Sequence, residues 1–287
     1  MTWFYYSVLA AFFSATATAL SKKAVEENDI YTVAWIRYGY TLPFLLCFMM
    51  FTEIPPLDST FFLVNAAIIP LEVLAVILYT KAIKYSPLSL TLPFLSLTPV
   101  FLIGTSFVML GERPDKSGTA GILLVVLGAY LLNVHTTKEG VLGPVHATLE
   151  EEGSVLMIIV AFIYSITANL SKIAIQHSSP IFFAAFHPTT LALALFPILV
   201  ITSGGNLARV FSSPVLFVSI GISQLLMYAT QNLAILTIEI SYMLSVKRTS
   251  LIFGVLYGWL LFRETNLRER MLGSIVILIG VGLIAFL

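Results

Sequence analysis

The sequence predicts an all-α membrane protein in which ten transmembrane helices form two inverted five-helix repeats. Three observations carry that expectation: an apolar composition, ten apolar windows of bilayer-spanning length, and a register in which the second half of the chain overlays the first.

Hydrophobic residues make up 58% of the 287 and charged residues 10%, with a mean hydropathy of +0.96. A water-soluble fold this apolar could not cover its own surface, so lipid is the natural solvent. Fifteen Lys and Arg balance fifteen Asp and Glu, which argues against nucleic acid as a partner. The single cysteine, Cys47, lies in an apolar run and offers neither a disulfide framework nor a thiolate metal site. No cofactor is implied; the expected partners are the lipid bilayer and a small-molecule substrate, with a homodimer as a further candidate.

The windows follow in order. Residues 3–21 begin at Trp3 without a basic n-region or small-residue cleavage site, which predicts a retained helix rather than a signal peptide. Residues 30–51 end at the break Thr52-Glu53-Ile54-Pro55-Pro56. Residues 60–83 carry Glu72 near their centre, 87–110 close on Gly111-Glu112-Arg113, and 117–134 are glycine-spaced. The polar stretch 135–153, with Glu150, Glu151 and Glu152, then divides a first repeat, 1–134, from a second, 154–287. The second holds 154–176, 180–202, 211–235, 239–262 and 269–287, with Ser203-Gly204-Gly205 breaking the chain after 202. Trp3, Tyr5, Tyr6, Trp259 and Phe262 sit near span ends, where aromatic rings anchor at the interface.

At an offset of 150, Leu20-Ser21-Lys22 falls on Leu170-Ser171-Lys172 and Arg37 on His187. At 152, Ser89 pairs with Ser241, Glu112 with Glu264, Gly121 with Gly273 and Gly128 with Gly280. Two halves of one design explain this better than chance. Five spans is an odd number, so the second half enters the membrane from the opposite side, and inverted repeats share a cavity near the midplane.

The arrangement resembles the drug/metabolite transporter superfamily, in particular its EamA-type ten-helix branch, over essentially the whole chain. Gly111-Glu112-Arg113 and Arg263-Glu264-Thr265 carry the resemblance, each followed by a glycine-spaced helix. It implies alternating access through a central cavity, without ATP, in export or exchange. It assigns no substrate.

An ionisable side chain deep in a span costs about 2.5–3.5 kcal/mol on insertion scales, so each is a functional candidate unless a partner explains it. Lys247-Arg248 lies near the middle of 239–262, about 12 Å along a helix rising about 1.5 Å per residue. Arg248 offers a planar fork and Lys247 a point charge for a carboxylate or phosphate. The similar helix of organellar phosphate-ester translocators also carries a Lys-Arg pair, a likeness confined to these two residues. The alternative is that either cation pairs with Glu72 or Glu239 to lock the bundle.

Glu72 is a candidate proton-coupling group or a static counter-ion to Arg248 or Arg37. Its repeat counterpart, Gln224, starts a stripe through Tyr228 and Gln231. Arg37 and His187 could line the cavity or reach back to headgroups. Lys22 and Lys172 could snorkel to the interface. Glu112 and Glu264 stand beside Arg113 and Arg263, where interfacial pairing is the plain expectation.

No phosphate-cradling loop, H-E-x-x-H or G-x-S-x-G occurs, which argues against an ATP-driven pump or a familiar intramembrane hydrolase. The sequence therefore predicts a secondary carrier of a small organic anion held by Lys247 and Arg248, with Arg37, His187, Gln224, Tyr228 and Gln231 around it and no catalytic residue. A proton-coupled exporter of neutral solutes such as amino acids, using Glu72, is the first alternative. A membrane enzyme acting on a lipid-linked phosphate, with His187 as base, is the second. Basic residues favour a cytoplasmic location for the connections after odd-numbered spans, whereas the resemblance implies cytoplasmic termini; the two point opposite ways. No transit peptide, retention signal or lipidation motif appears, so the expected location is a prokaryotic plasma membrane.

Overall fold

A computed structural model describes residues 2–110, 116–132, 143–202, 207–235, 243 and 246–286, and every regular element among them is helical. Helix α1 spans Thr2–Glu27. The second window is two helices, α2 Ile30–Gly39 and α3 Leu42–Met50. Between them Thr41 turns its hydroxyl onto the Tyr38 carbonyl, 2.6 Å, and Pro43 starts α3, where its missing N–H is not needed. Helix α4, Ser59–Tyr85, starts at Asp58, whose carboxylate accepts the Phe61 N–H at 2.9 Å.

The fourth window is also interrupted: α5, Leu88–Phe94, passes through a 3-10 turn, Leu95–Leu97, into α6, Thr98–Leu110. The remaining helices are α7 Lys116–Leu131, α8 Gly143–Glu150, α9 Glu152–Gln176, α10 Pro180–Thr202, α11 Pro214–Ile235, α12 Ser250–Phe262 and α13 Leu267–Phe286. The window drawn at 211–235 begins later, at Pro214, after a 3-10 turn over Leu207–Phe211. Seven described segments are long and apolar enough to cross a bilayer, among them α2–α3 and α5–α6 each taken as one. The expected count of ten needs α7, α12 and α13 as well, and α12 has only 13 described residues.

Packing follows the repeat. Helix α1 lies on α11 and α4 on α9, while α7 packs on α13, α2 on α10 and α5 on α12. Exchanging the halves converts the first pair into the second and returns α7–α13 and α2–α10 to themselves, as a two-fold relation between inverted repeats requires. The α7–α13 contact shows why glycine recurs. A Cβ on Gly128 would lie 2.8 Å from the Gly273 carbonyl oxygen, one on Gly273 2.8 Å from that of Gly128, and one on Gly280 2.7 Å from that of Gly121. Small residues let two backbones meet where lipid supplies no hydrophobic force between helices.

Charges pin the α4–α5 turn from both sides. Lys22 Nζ donates to the carbonyls of Ile83, 3.1 Å, and Ser86, 2.6 Å, at the C-terminal end of α4. The Glu264 carboxylate accepts the N–H groups of Leu88, 2.6 Å, and Ser89, 2.9 Å, at the N-terminal end of α5, and the Ser89 hydroxyl. Each charge meets the helix end whose dipole it complements. Arg270 completes the group, donating to Ser89 Oγ and to Glu264 at 3.3 Å.

These contacts give the Lys22 ammonium carbonyl partners at the end of α4 and correct one expectation. Glu264 pairs with Arg270 rather than its neighbour Arg263, which is exposed, adopts φ 52° and closes α12. Gly258 makes room for the carboxylate, since a Cβ there would collide with Glu264 Oε2. Glu112 and Arg113 lie outside the described residues. The contacts also set polarity: the end of α1 and the start of α13 share one end of the bundle, so Thr2 and Phe286 share the other.

Candidate functional site

Two helix breaks build the site. Helix α6 starts at Thr98 and α12 at Ser250, positions 152 apart and so equivalent under the repeat. The window expected to run unbroken over 239–262 is thus interrupted next to its basic pair, with Arg248 and Thr249 in a turn ahead of α12. The Leu251 and Ile252 N–H groups bond back to the carbonyls of Arg248 and Thr249 at 3.0 Å, so the start of α12 is hydrogen-bonded onto the turn that carries the basic pair. Interrupted helices at the midplane are tolerated where they border a cavity.

A chamber of about 620 Å³ occupies that position. Its wall includes Lys247, Arg248, Arg37, His187, Gln224, Tyr228, Gln231 and Glu72, so the eight residues singled out in the sequence are brought around one space. The side chain of Asn232, on the same stripe, lies outside the described part of the molecule.

Lys247 Nζ donates to the Gln231 amide oxygen at 2.6 Å and touches Met227 sulfur at 3.2 Å. Arg37 is 7% exposed and stacks its guanidinium over the Tyr79 ring, 4.7 Å to the centroid. Its Nε and Nη1 have no hydrogen-bond partner among the described residues. Thr18 holds Tyr79 by a 2.8 Å hydroxyl contact, which fixes the ring beneath the cation. This places Arg37 in the chamber rather than at the headgroups. His187 stacks on Phe183, centroids 5.3 Å apart and planes 19° apart, with Nδ1 buried and unpartnered among the described residues.

Glu72 accepts a hydrogen bond from Thr167 Oγ1 at 2.6 Å. No cation among the described residues lies within ion-pair distance of it, so it is not the counter-ion of Arg37 or Arg248. The expected lock between Glu239 and the basic pair lies outside the described residues. Among the described residues, three cations and one carboxylate therefore line the chamber, and that carboxylate is held by a hydroxyl.

Several wall residues had no distinguishing mark in the sequence. Tyr38, Tyr79 and Tyr164 line the chamber beside Tyr228, and Thr167 holds Glu72. One signal was available for the break in the fourth window: Pro93 and Pro99 bracket it, and proline removes the N–H an uninterrupted helix needs. The break before Ser250 has no such marker.

Fold and site together define a multi-pass integral membrane protein whose two repeats enclose a chamber of solute size. The EamA-like transporter family model matches residues 1–134 and 152–286, and the chain belongs to that family of membrane transporters. Thirteen solved chains match as well. One, described only as the crystal structure of a protein, has 13% sequence identity, covers 98% of this chain and 94% of its own, and superposes with a TM-score of 0.62. At that identity the likeness is one of fold. No curated protein compared with the chain matches it.

Proposed function

We propose that this transporter is a secondary carrier of a small organic anion, carboxylated or phosphorylated, working by alternating access between residues 1–134 and 154–287 in a prokaryotic plasma membrane. The supporting observation is the charge of the chamber's described wall: Arg37, Lys247 and Arg248 line it with one described carboxylate, Glu72, which is engaged by Thr167. A guanidinium offers two parallel donors to a carboxylate or phosphate, and an ammonium adds a point charge. The absence of an ion pair at Glu72 among the described residues favours one rival, a proton-coupled exporter of neutral solutes such as amino acids, in which this carboxyl carries the proton.

Thermal-shift screening separates the two. Purified wild type, Lys247→Ala and Arg248→Ala would be melted with carboxylates, phosphate esters, nucleotides, amino acids and cationic drugs. A ligand at about 100 times its Kd adds about 2.7 kcal/mol to the native state. The anion reading expects an anion to stabilise wild type and neither variant. Stabilisation of all three proteins by the same compounds, or by neutral compounds alone, transfers the assignment to the Glu72 exporter.

A further inference from the structure

Resting on alternating access and not on the charge of the solute, we infer that the route from the chamber to the α4–α5 turn end of the bundle runs along the seam where α1, α4, α5 and α12 meet. Leu92, seated on Gly254, is the plug that closes it.

The Gly153 N–H donates to Ser86 Oγ at 3.0 Å, so α9 starts beside the α4–α5 turn and finishes at the far end of the bundle. Ile175, near the end of α9, and Pro180, which starts α10, line the chamber, which therefore extends toward the end that holds Thr2 and Phe286. In the other direction stands a second cavity of about 30 Å³, room for about two waters. Ser14, Tyr79, Leu95, Arg248 and Ser250 wall both spaces. Thr18, one turn further along α1, walls the second with Leu92 and Leu251.

Each helix carries the seam on from there to the pinned turn. On α1, Ser14 and Thr18 are followed four residues later by Lys22; on α12, Ser250 is followed at the same spacing by Gly254, Gly258 and Phe262, which keeps each set on one face. Lys22 Nζ lies 5.4 Å from the centre of the Phe262 ring, so the two faces meet again at the end of the bundle. Along α5 and the turn after it, Ser89, Leu92 and Leu95 follow at spacings of three, and Ser89 lies under Glu264. On α4, Tyr79 is succeeded by Ile83, whose carbonyl accepts from Lys22. The order along the seam is chamber, second cavity, leucine layer and charged cap.

Two features distinguish this seam from a packing fault. Empty voids in proteins are apolar, whereas this one is walled by a guanidinium and by the hydroxyl-bearing side chains of Ser14, Thr18, Tyr79 and Ser250. Its closure is also thin. Leu92 and Leu251 are buried, and a Cβ on Gly254 would lie 2.5 Å from Leu92 Cδ1, so one leucine side chain fills the notch that the glycine leaves. Withdrawing that side chain opens the apolar layer between the second cavity and the polar groups around Ser89.

The test uses single-cysteine proteins in which Cys47→Ser removes the native thiol, in right-side-out and inside-out vesicles treated with a membrane-impermeant maleimide. Lys84→Cys, exposed beside the α4–α5 turn, and Thr2→Cys, exposed at the far end, report which side the reagent reaches. Ala15→Cys reports on the second cavity and Ala168→Cys on the chamber. Adding Leu92→Ala, or Gly254→Ala, which displaces the Leu92 side chain, should speed labelling of Ala15→Cys from the turn side at least about tenfold and should not speed it from the far side. Ala192→Cys, buried on α10, should gain nothing.

If neither variant changes the labelling of Ala15→Cys while Ala168→Cys is labelled from both sides in the parent protein, the route is overturned and alternating access stands. Equal acceleration from both sides, or acceleration at Ala192→Cys, would mark a loosened fold and overturn the plug. Labelling of Ala168→Cys from one side alone, however long the exposure, would overturn alternating access, and the route would fall with it.

Discussion

Replacing Glu264 tests whether the pinned α4–α5 turn holds the two repeats together. The carboxylate side chain is 7% exposed and its partner Arg270 8%. It accepts two backbone N–H groups, at 2.6 and 2.9 Å, and the Ser89 hydroxyl, and it lies 3.3 Å from Arg270 Nη1. Glu264→Gln keeps the size and one oxygen but turns an amide NH2 toward donors and leaves Arg270 without its charge. Removing one partner of a buried pair costs about 3–5 kcal/mol; Gln should fall near the lower figure and Ala near the upper. At about 2–4 °C per kcal/mol for a chain of a few hundred residues, the Gln variant should melt about 6–12 °C lower. The assay is fluorescence-monitored melting in detergent, with Arg263→Gln as the exposed control expected to change stability by less than about 0.5 kcal/mol. A Glu264→Gln protein melting within about 2 °C of wild type would show that these short contacts hold nothing, and would refute a stabilising role for the turn.

Two further outcomes follow from the packing and from the surface. Gly128→Leu places a side chain where even a Cβ meets the Gly273 carbonyl at 2.8 Å, so α7 and α13 must separate; overpacking of this kind costs about 1–3 kcal/mol or more, read as a lowered melting temperature, whereas Gly104→Ala, with no neighbour within 4 Å of the added carbon, should be far milder. Outside the spans, the Asp58 carboxyl is held below the usual carboxylate range, first by the Phe61 N–H and also by His177 at 2.7 Å. A depressed carboxyl stabilises the fold above its unfolded value, about 3.9, and that contribution is lost as pH falls through the folded value. The melting temperature of wild type should therefore drop more between pH 6 and pH 3 than that of Asp58→Asn, and parallel curves for the two would remove this carboxyl from the acid response.

Much of this molecule is legible from the chain alone because lipid enforces simple rules. Apolar windows locate the helices, and the overlay of Gly121 on Gly273 and Gly128 on Gly280 anticipates the contact in which backbones of equivalent spans touch. Ionisable residues deep in spans are rare, so Glu72, Arg37, Lys247 and Arg248 stand out in the sequence, and all border one chamber. Partnership is what the sequence hides. Neighbouring charges suggested Glu264 with Arg263, yet the carboxylate turns to Arg270 and to helix amides about 175 positions away, because a buried anion seeks donors of fixed geometry over an exposed side chain. Apolar windows equally hide interruptions: Lys247-Arg248-Thr249-Ser250 reads as mid-helix, and only the folded chain shows α12 starting beside the cations.

The halves agree where the scaffold is concerned and disagree where the solute would sit. Helix pairing, the glycine contacts and the starts of α6 and α12 all obey the repeat. The chamber does not: Lys247 and Arg248 stand opposite Leu95 and Ser96, Arg37 opposite His187, and Glu72 opposite Gln224. A symmetric scaffold gives the two facings similar packing energies, since each half can adopt the other's conformation. Charge placed off that symmetry is seen from either side by the same solute but sits on different helices relative to each exit. Under the proposed alternating access, shape can alternate while the proposed binding groups stay fixed to one set of spans, Arg37 on α2 and the basic pair ahead of α12. Substituting Leu95→Lys would impose part of that symmetry by adding a cation to the chamber wall. On the anion reading, that more basic chamber should bind anions more tightly, and anion-induced melting shifts no larger than those of wild type would refute it.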